Sequence, residues 1–376
     1  MLPKTLSSIA FALGLASAAT VQADDIAIGA VFPLSGPNAT YGDIFMSGAD
    51  LAAKHVNEDA LLSGDLKILY EDSQALPQQG VVAMNKLVNV ESVPYVLSAF
   101  TGVSKAISTL AQRSQTVAVN GGGVGPDLAE LGDYFWNVIP LANNEVGALV
   151  THAVSDLGHK RFTLVYVDDP LGESILEELE MALPALGGEL VESHSIAASA
   201  QQFSGVAARV RSNNPDVVYV ASYGSQQLQI VKQLRDNGVK AQIASYSAFS
   251  VPELQTLKEA QGALFTTQSI DWDSKDPVTK RFVDDYKAKY GKNPTSYIAN
   301  YYNAVRVFAL LAKGLEEQGK DITGADLLAQ RKAMNTFELV GGKVSFQENG
   351  TLLAPIQVLQ VDGSGSGKVV SVKAVK

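Results

Sequence analysis

Two series of short apolar segments, each ending in small or aromatic residues just before a helix or loop, run along this chain and narrow its fold more than any other feature. In the first series VFPLSG (Val31 to Gly36) leads into a helix, VPYVLSAF (Val93 to Phe100) leads into another, and TVAVNGGG (Thr116 to Gly123) ends a third strand. VYVDDPLGES (Val165 to Ser174), PDVVYVASYGS (Pro215 to Ser225) and QIASYSAF (Gln242 to Phe249) repeat that order. Strands alternating with helices predict an α/β fold with mostly parallel sheets. Such sheets bind ligands outside the carboxyl ends of their strands, so the loops closing these segments are the candidate ligand loops.

The segment from Ile26 to Gly42 shows the pattern at its clearest. Ile26, Ile28 and Val31 to Leu34 form an apolar run closed by turn residues, and Ile44, Phe45, Leu51, Ala52 and Val56 recur at helical spacing. A loop entering a helix presents unpaired N–H groups that favour a carboxylate or another anion. Later helices are amphipathic: Leu228, Val231 and Leu234 share one face, and Tyr297, Tyr301, Val305 and Phe308 share another, with the tyrosines read as core. Alternating apolar residues around Asn349-Gly350 predict a hairpin, and Asp362 to Gly367 is a turn without chemistry.

Lys4, the apolar run Ile9 to Ala19 and the small-residue pattern Val21-Gln22-Ala23 read as an export signal cleaved after Ala23, leaving Asp24 first. The run is shorter than the roughly 20 residues of a membrane span. The chain has no cysteine, which excludes a lipid-attachment site, a disulfide and any cysteine nucleophile or metal ligand. A soluble periplasmic protein, not a lipoprotein, is expected. A length of 376 residues exceeds one ordinary core and suits two lobes. The net charge of −10 disfavours nucleic acid or an anionic membrane as partner.

Reactive chemistry is sparse. His55, His152, His159 and His194 show no metal-ligand spacing, and surface placement is expected for all four. The run Gly121 to Asp127 follows a strand, but Pro126 stands where the third glycine of a dinucleotide loop would fall. Neither a phosphate-binding P-loop nor a serine nucleophile elbow occurs. Asp168-Asp169 reads as a helix cap rather than an acid/base pair. No catalytic residue, cofactor or metal is expected.

Taken in order, the PLSGPNATYGD loop (Pro33 to Asp43), LYEDS (Leu69 to Ser73), QGVVAMNKLV (Gln79 to Val88) and the later loops carry a family resemblance. The chain resembles the type I periplasmic binding proteins of ABC importers, in the leucine/isoleucine/valine-binding group, from about Asp25 to its end. That resemblance implies two doubly wound, Rossmann-like lobes joined by three crossovers, near Pro140 to Asn143, Thr267 to Asp271 and Leu353 to Pro355. The lobes would comprise residues 24–141 with 269–351 and residues 142–268 with 352–376, after a signal peptide at 1–23.

The resemblance also implies a non-enzymatic, monomeric receptor that closes on a small molecule and delivers it to a membrane permease. A ligand-sensing subunit for a chemoreceptor or receptor kinase is the alternative. Thr101, Gly102, Gly122 and Gly123, with Val124 beside them, would meet the carboxylate. Tyr41, Phe100, Tyr223 and Phe249 would form apolar or aromatic walls. The family's acid for an amino-acid ammonium falls at Ser247, and a family tyrosine falls at Leu171. An enclosed ammonium without a counter-charge is penalised by several kcal/mol or more, on the order of an unpaired buried ion. The expected ligand is a small carboxylate or amino acid, and with Tyr246 near Phe100, Tyr223 and Phe249 the pocket suits an aromatic or branched acid that lacks an ammonium. An ordinary branched-chain amino acid is the alternative, should Asp168 or Asp169 supply the charge.

Overall fold

The computed structural model describes residues 25–374; the export signal lies outside the described residues. The first sheet contains β1 (Ile26–Phe32), β2 (Leu66–Asp72), β3 (Tyr95–Ser98), β4 (Val117–Asn120) and β5 (Phe135–Asn137), all parallel in the order β2-β1-β3-β4-β5. β3 and β4 are buried along their whole length, as strands covered by helices on both faces must be. Its helices are α1 (Ala39–Glu58), α2 (Pro77–Asn89) and α3 (Thr101–Ser114).

The chain then passes to a second sheet. There α4 (Ala142–Thr151), β6 (Arg161–Val167), α5 (Pro170–Ala185), β7 (Glu189–Ile196), α6 (Ser204–Asn213), β8 (Val217–Ala221), α7 (Gly224–Asp236), β9 (Gln242–Ser245), the short α8 (Pro252–Gln255) and β10 (Leu264–Gln268) alternate. α9 (Pro277–Tyr290), α10 (Ser296–Glu317), α11 (Gly324–Met334) and the hairpin β11 (Thr336–Leu339) with β12 (Gly342–Ser345) return to the first sheet's side. β13 (Ile356–Gln360) and β14 (Lys368–Lys373) add antiparallel strands to the second sheet, whose order is β14-β13-β10-β9-β8-β6-β7. α10 lies on α1, where Gly48 is required because a Cβ would fall 2.1 Å from the Ile298 carbonyl oxygen.

The three inter-sheet passages run side by side. Asn137 N–H donates to the Gly350 carbonyl at 2.9 Å, Leu352 N–H donates to the Asn137 carbonyl at 2.9 Å, and Ser269 N–H donates to the Pro355 carbonyl at 2.8 Å. The hairpin read from Asn349-Gly350 is present: Gly350 has φ +79°, and Phe346 and Leu352 bridge antiparallel. Three of the four histidines are buried rather than on the surface, each beside a partner. His55 Nδ1 lies 2.8 Å from Tyr302 Oη and its Nε2 2.9 Å from Asp285, His152 lies 2.8 Å from Asp156, and His194 lies 3.3 Å from Glu192.

Both parallel cores share one winding, β2-β1-β3-β4-β5 and β7-β6-β8-β9-β10. The order reverses between β1 and β3 in the first and between β6 and β8 in the second, which opens a crevice at each reversal. The loops after β1, β3, β6 and β8 meet across the space between the lobes.

Candidate functional site

The cleft encloses a cavity of about 180 Å³. A cavity of about 150 Å³ accommodates benzene, so there is room for one ring or one branched aliphatic chain. Six aromatic rings line it: Tyr41, Phe45, Phe100, Tyr223, Tyr246 and Tyr297. Among the described residues no lysine, arginine or histidine does, and Asp169 is the one acid in the wall.

The first-lobe wall is the entry to α3. β3 ends at Ser98, whose Oγ lies 2.5 Å from Ser104 Oγ, and Phe100 turns the chain into the helix with φ +63°. That conformation is unusual for a side-chain-bearing residue and marks strain held by its surroundings. The Phe100 ring packs edge-on against Tyr41 at 5.7 Å and against Tyr223 of the other lobe at 5.3 Å. Thr101 and Gly102 follow at the first helical positions, where backbone N–H groups have no partner within the helix and the dipole favours an anion. Thr101 Oγ1 accepts from Gly125 N–H at 3.1 Å, which leaves its own proton to donate.

Gly122, Gly123 and Val124 line the same wall. The amides of Gly122 and Gly123 already donate to Asn120 Oδ1, at 3.2 and 2.7 Å. The glycine loop therefore shapes the wall, while the α3 amides and the Thr101 hydroxyl are the donors left for an anion. Asn120 Nδ2 donates to the Gly123 carbonyl at 2.8 Å and to Asn137 Oδ1 at 2.9 Å, tying this loop to the first inter-sheet passage. Glycine is required at 123 because a Cβ would fall 2.8 Å from Thr101 N.

The second-lobe wall comes from the loops after β6, β8 and β9. Asp169 caps α5, its Oδ1 accepting from Leu171 and Gly172 N–H at 3.0 Å each, while Oδ2 accepts from Tyr223 Oη at 2.7 Å. Burial raises the Asp169 carboxyl, opposed by Tyr223 and the two amides. Leu171 makes its side of the cavity apolar, and Tyr246 is fixed by donating to the Ser222 carbonyl at 3.0 Å. Tyr41 crosses the cleft: its hydroxyl accepts from Gly224 N–H at 3.3 Å and donates to the Ala248 carbonyl at 3.4 Å.

The cavity thus brings together Tyr41, Phe100, Thr101, Gly102, Gly122, Gly123, Val124, Leu171 and Tyr223 from the sequence reading. It does not include Ser247 or Phe249. The chain from Ser247 to Ser250 makes a 3₁₀ turn that buries both residues, with Ser247 Oγ 3.3 Å from Tyr297 Oη behind the cavity wall. Ser247 N–H donates to Glu145 Oε2 at 2.7 Å, and Phe249 packs against Phe265 at 6.1 Å with no exposed surface.

Sequence reasoning placed Tyr246 near the pocket and allowed Asp169 to turn into it, but missed Phe45, Ala248 and Tyr297 as wall residues, along with Ala198, Pro170 and the loop Ala75 to Pro77 after β2. The signal for Asp169 was its place at the β6 strand end. Tyr297 was hidden because helical periodicity does not separate a core-facing ring from a cavity-facing one. Among the described residues no cluster of three potential metal ligands exists, and no helix is long and apolar enough to cross a membrane.

Comparison with known proteins gives this arrangement a family. The sequence profile of the periplasmic binding protein family matches residues 25–367. The chain is 26% identical over 359 residues to the Leu/Ile/Val-binding protein homolog 3 of Brucella melitensis, covering 94% of this chain and 95% of the relative. In fold it is similar to the LivJ substrate-binding protein of Streptococcus pneumoniae solved with isoleucine, with a TM-score of 0.83, 21% identity and coverage of 94% and 100%. A Rhodopseudomonas palustris (R. palustris) ABC-transporter solute-binding protein solved with benzoate is equally similar, with a TM-score of 0.83, 16% identity and coverage of 94% and 98%. The chain belongs to the periplasmic binding protein family, with the type I two-lobed fold, a family of solute-binding proteins and not of enzymes.

Proposed function

We propose that this receptor captures a small aromatic or branched organic acid and presents it to its permease. The reading rests on one observation: the cavity pairs the amide-rich entry of α3 with a wall of rings, and its one acid is already engaged by three donors. The acid's carboxylate would lie against the Thr101 and Gly102 amides and the Thr101 hydroxyl. Its ring or branched chain would fill the space among Phe100, Leu171, Tyr223 and Tyr297. Closure needs only that the solute bind the closed form better than the open one. The benzoate bound by the Rhodopseudomonas protein is a ligand of this size and chemistry.

A branched-chain amino acid is the second reading, favoured by Asp169. Its oxygens retain acceptor capacity beyond the three bonds they receive, and an ammonium beside it would be paired. A thermal-shift panel of benzoate, 4-hydroxybenzoate, 4-methylpentanoate, leucine, isoleucine and valine separates the readings. Acids without an ammonium are expected to raise the melting temperature at least as much as the amino acids. Stabilisation by the amino acids alone would overturn the first reading.

A further inference from the structure

Glu145 lies just past the first inter-sheet passage, on the first turn of α4, with no exposed surface. Its Oε2 accepts from Ser247 N–H at 2.7 Å and from Thr266 Oγ1 at 3.1 Å, joining α4 to the cavity loop and to β10, the strand that leads into the second passage. Its Oε1 has no hydrogen-bond partner, and neither does the buried Tyr219 hydroxyl. Ser247 Oγ lies 3.3 Å from the hydroxyl of Tyr297, which belongs to α10 of the opposite lobe and lines the cavity. One chain of contacts therefore runs from a hinge carboxyl to the cavity wall and across the cleft.

A carboxylate whose second oxygen meets no donor is costly in a dry interior, whereas a carboxyl protonated on Oε1 keeps both bonds at Oε2. Among the described residues the surroundings supply no cation. The phenols of Tyr219 and Tyr297 face it, β10 and β13 carry no charged residue, and α5 carries only acids: Glu173, Glu177, Glu178 and Glu180. His152, on the turn that continues α4, is paired with Asp156. Burial pushes the Glu145 carboxyl up to about 8.

We propose that Glu145 is a positioning residue whose proton is coupled to cleft closure: closing takes one proton from solvent onto Oε1, and opening returns it. Separation of the lobes withdraws Tyr297 from Ser247 and admits water beside the carboxyl, which then ionises. The sign follows from linkage. The closed form holds the proton more tightly, so closure is favoured at low pH and that advantage is lost as pH rises through about 8. The proposal rests on capture by closure, not on which solute is captured.

The test follows closure without ligand, as the radius of gyration by solution scattering between about pH 6 and about pH 9, for the wild type and Glu145→Gln. The wild type is expected to open as pH rises, and the neutral isostere to stay closed throughout. Calorimetric titration with benzoate and with isoleucine adds a second readout on the wild type itself. Whichever binds should take up a proton near neutral pH, seen as a buffer-dependent heat, and lose affinity about tenfold per pH unit toward pH 8. Identical pH responses of wild type and Glu145→Gln, or transfer of the whole response to Asp169→Asn, would overturn the proposal. If neither probe binds, the proposed ligand class fails while the scattering result still decides the role of Glu145.

Discussion

The hydroxyl of Tyr41, on the first lobe, accepts a hydrogen bond from the amide of Gly224, at the start of α7 on the second, at 3.3 Å. The donor is available because Gly224 heads its helix and has no earlier turn to bond. This bond and the 3.4 Å bond from Tyr41 to the Ala248 carbonyl bridge the cleft directly beside the cavity. Tyr41→Phe keeps the ring and loses the bridge. Two long hydrogen bonds contribute about 1 kcal/mol together, so ligand affinity should fall about fivefold while the melting temperature barely moves. Unchanged affinity by calorimetry would show that the bridge plays no part in closure.

Thr101 supplies the one side-chain hydroxyl at the α3 entrance that is free to donate. Thr101→Ala should weaken binding of a carboxylate about tenfold, a loss of about 1.4 kcal/mol, and Thr101→Ser should restore most of it. Circular dichroism should be unaltered in both variants. Equal losses in the two would assign the effect to packing of the methyl group instead.

Asn120 is fully buried and makes four hydrogen bonds, to the Gly122 amide, the Gly123 amide, the Gly123 carbonyl and Asn137. Asn120→Ala leaves those groups without partners and should cost about 2–4 kcal/mol of stability in urea denaturation. Binding should weaken as well, because the loop that shapes the wall loses its anchor. A variant with wild-type stability would mean that water replaces the side chain at no cost.

Glu145 also makes fold stability depend on pH. The unfolded chain ionises this carboxyl above about 4.5, whereas the folded chain keeps it protonated to about 8. Between those values the folded state binds more protons, so stability falls as pH rises, by at most about 1.4 kcal/mol per unit. Glu145→Gln should match the wild type near pH 5 and exceed it by a few kcal/mol near pH 8. Parallel denaturation curves at both pH values would contradict this.

The lobes and their strand ends were legible because each signal is local. VLSAF and YVASYG announce a buried strand that stops at a loop, and the reversal of strand order places those stops opposite one another. Tyr41, Phe100, Thr101, Leu171 and Tyr223 lie at or just beyond such stops and line the cavity. Ser247 and Phe249 fall outside the lining, since the chain after β9 makes a 3₁₀ turn that no residue pattern announces. Asp169 was read as a cap, which it is, yet the cap also reaches the cavity through Tyr223. The buried histidines escaped because their partners, such as Tyr302 and Asp285 for His55, lie far away in sequence.

The central claim is that the entrance of α3 grips the carboxylate of a guest held between the two walls. Calorimetric titration of benzoate and 4-methylpentanoate, each beside its own primary amide, tests it most directly. At least one acid should bind, and its amide should bind at least about tenfold more weakly, since a neutral group gains little from a helix dipole and charge-assisted donors. Equal affinity of an acid and its amide would place the carboxylate away from Thr101 and contradict the account.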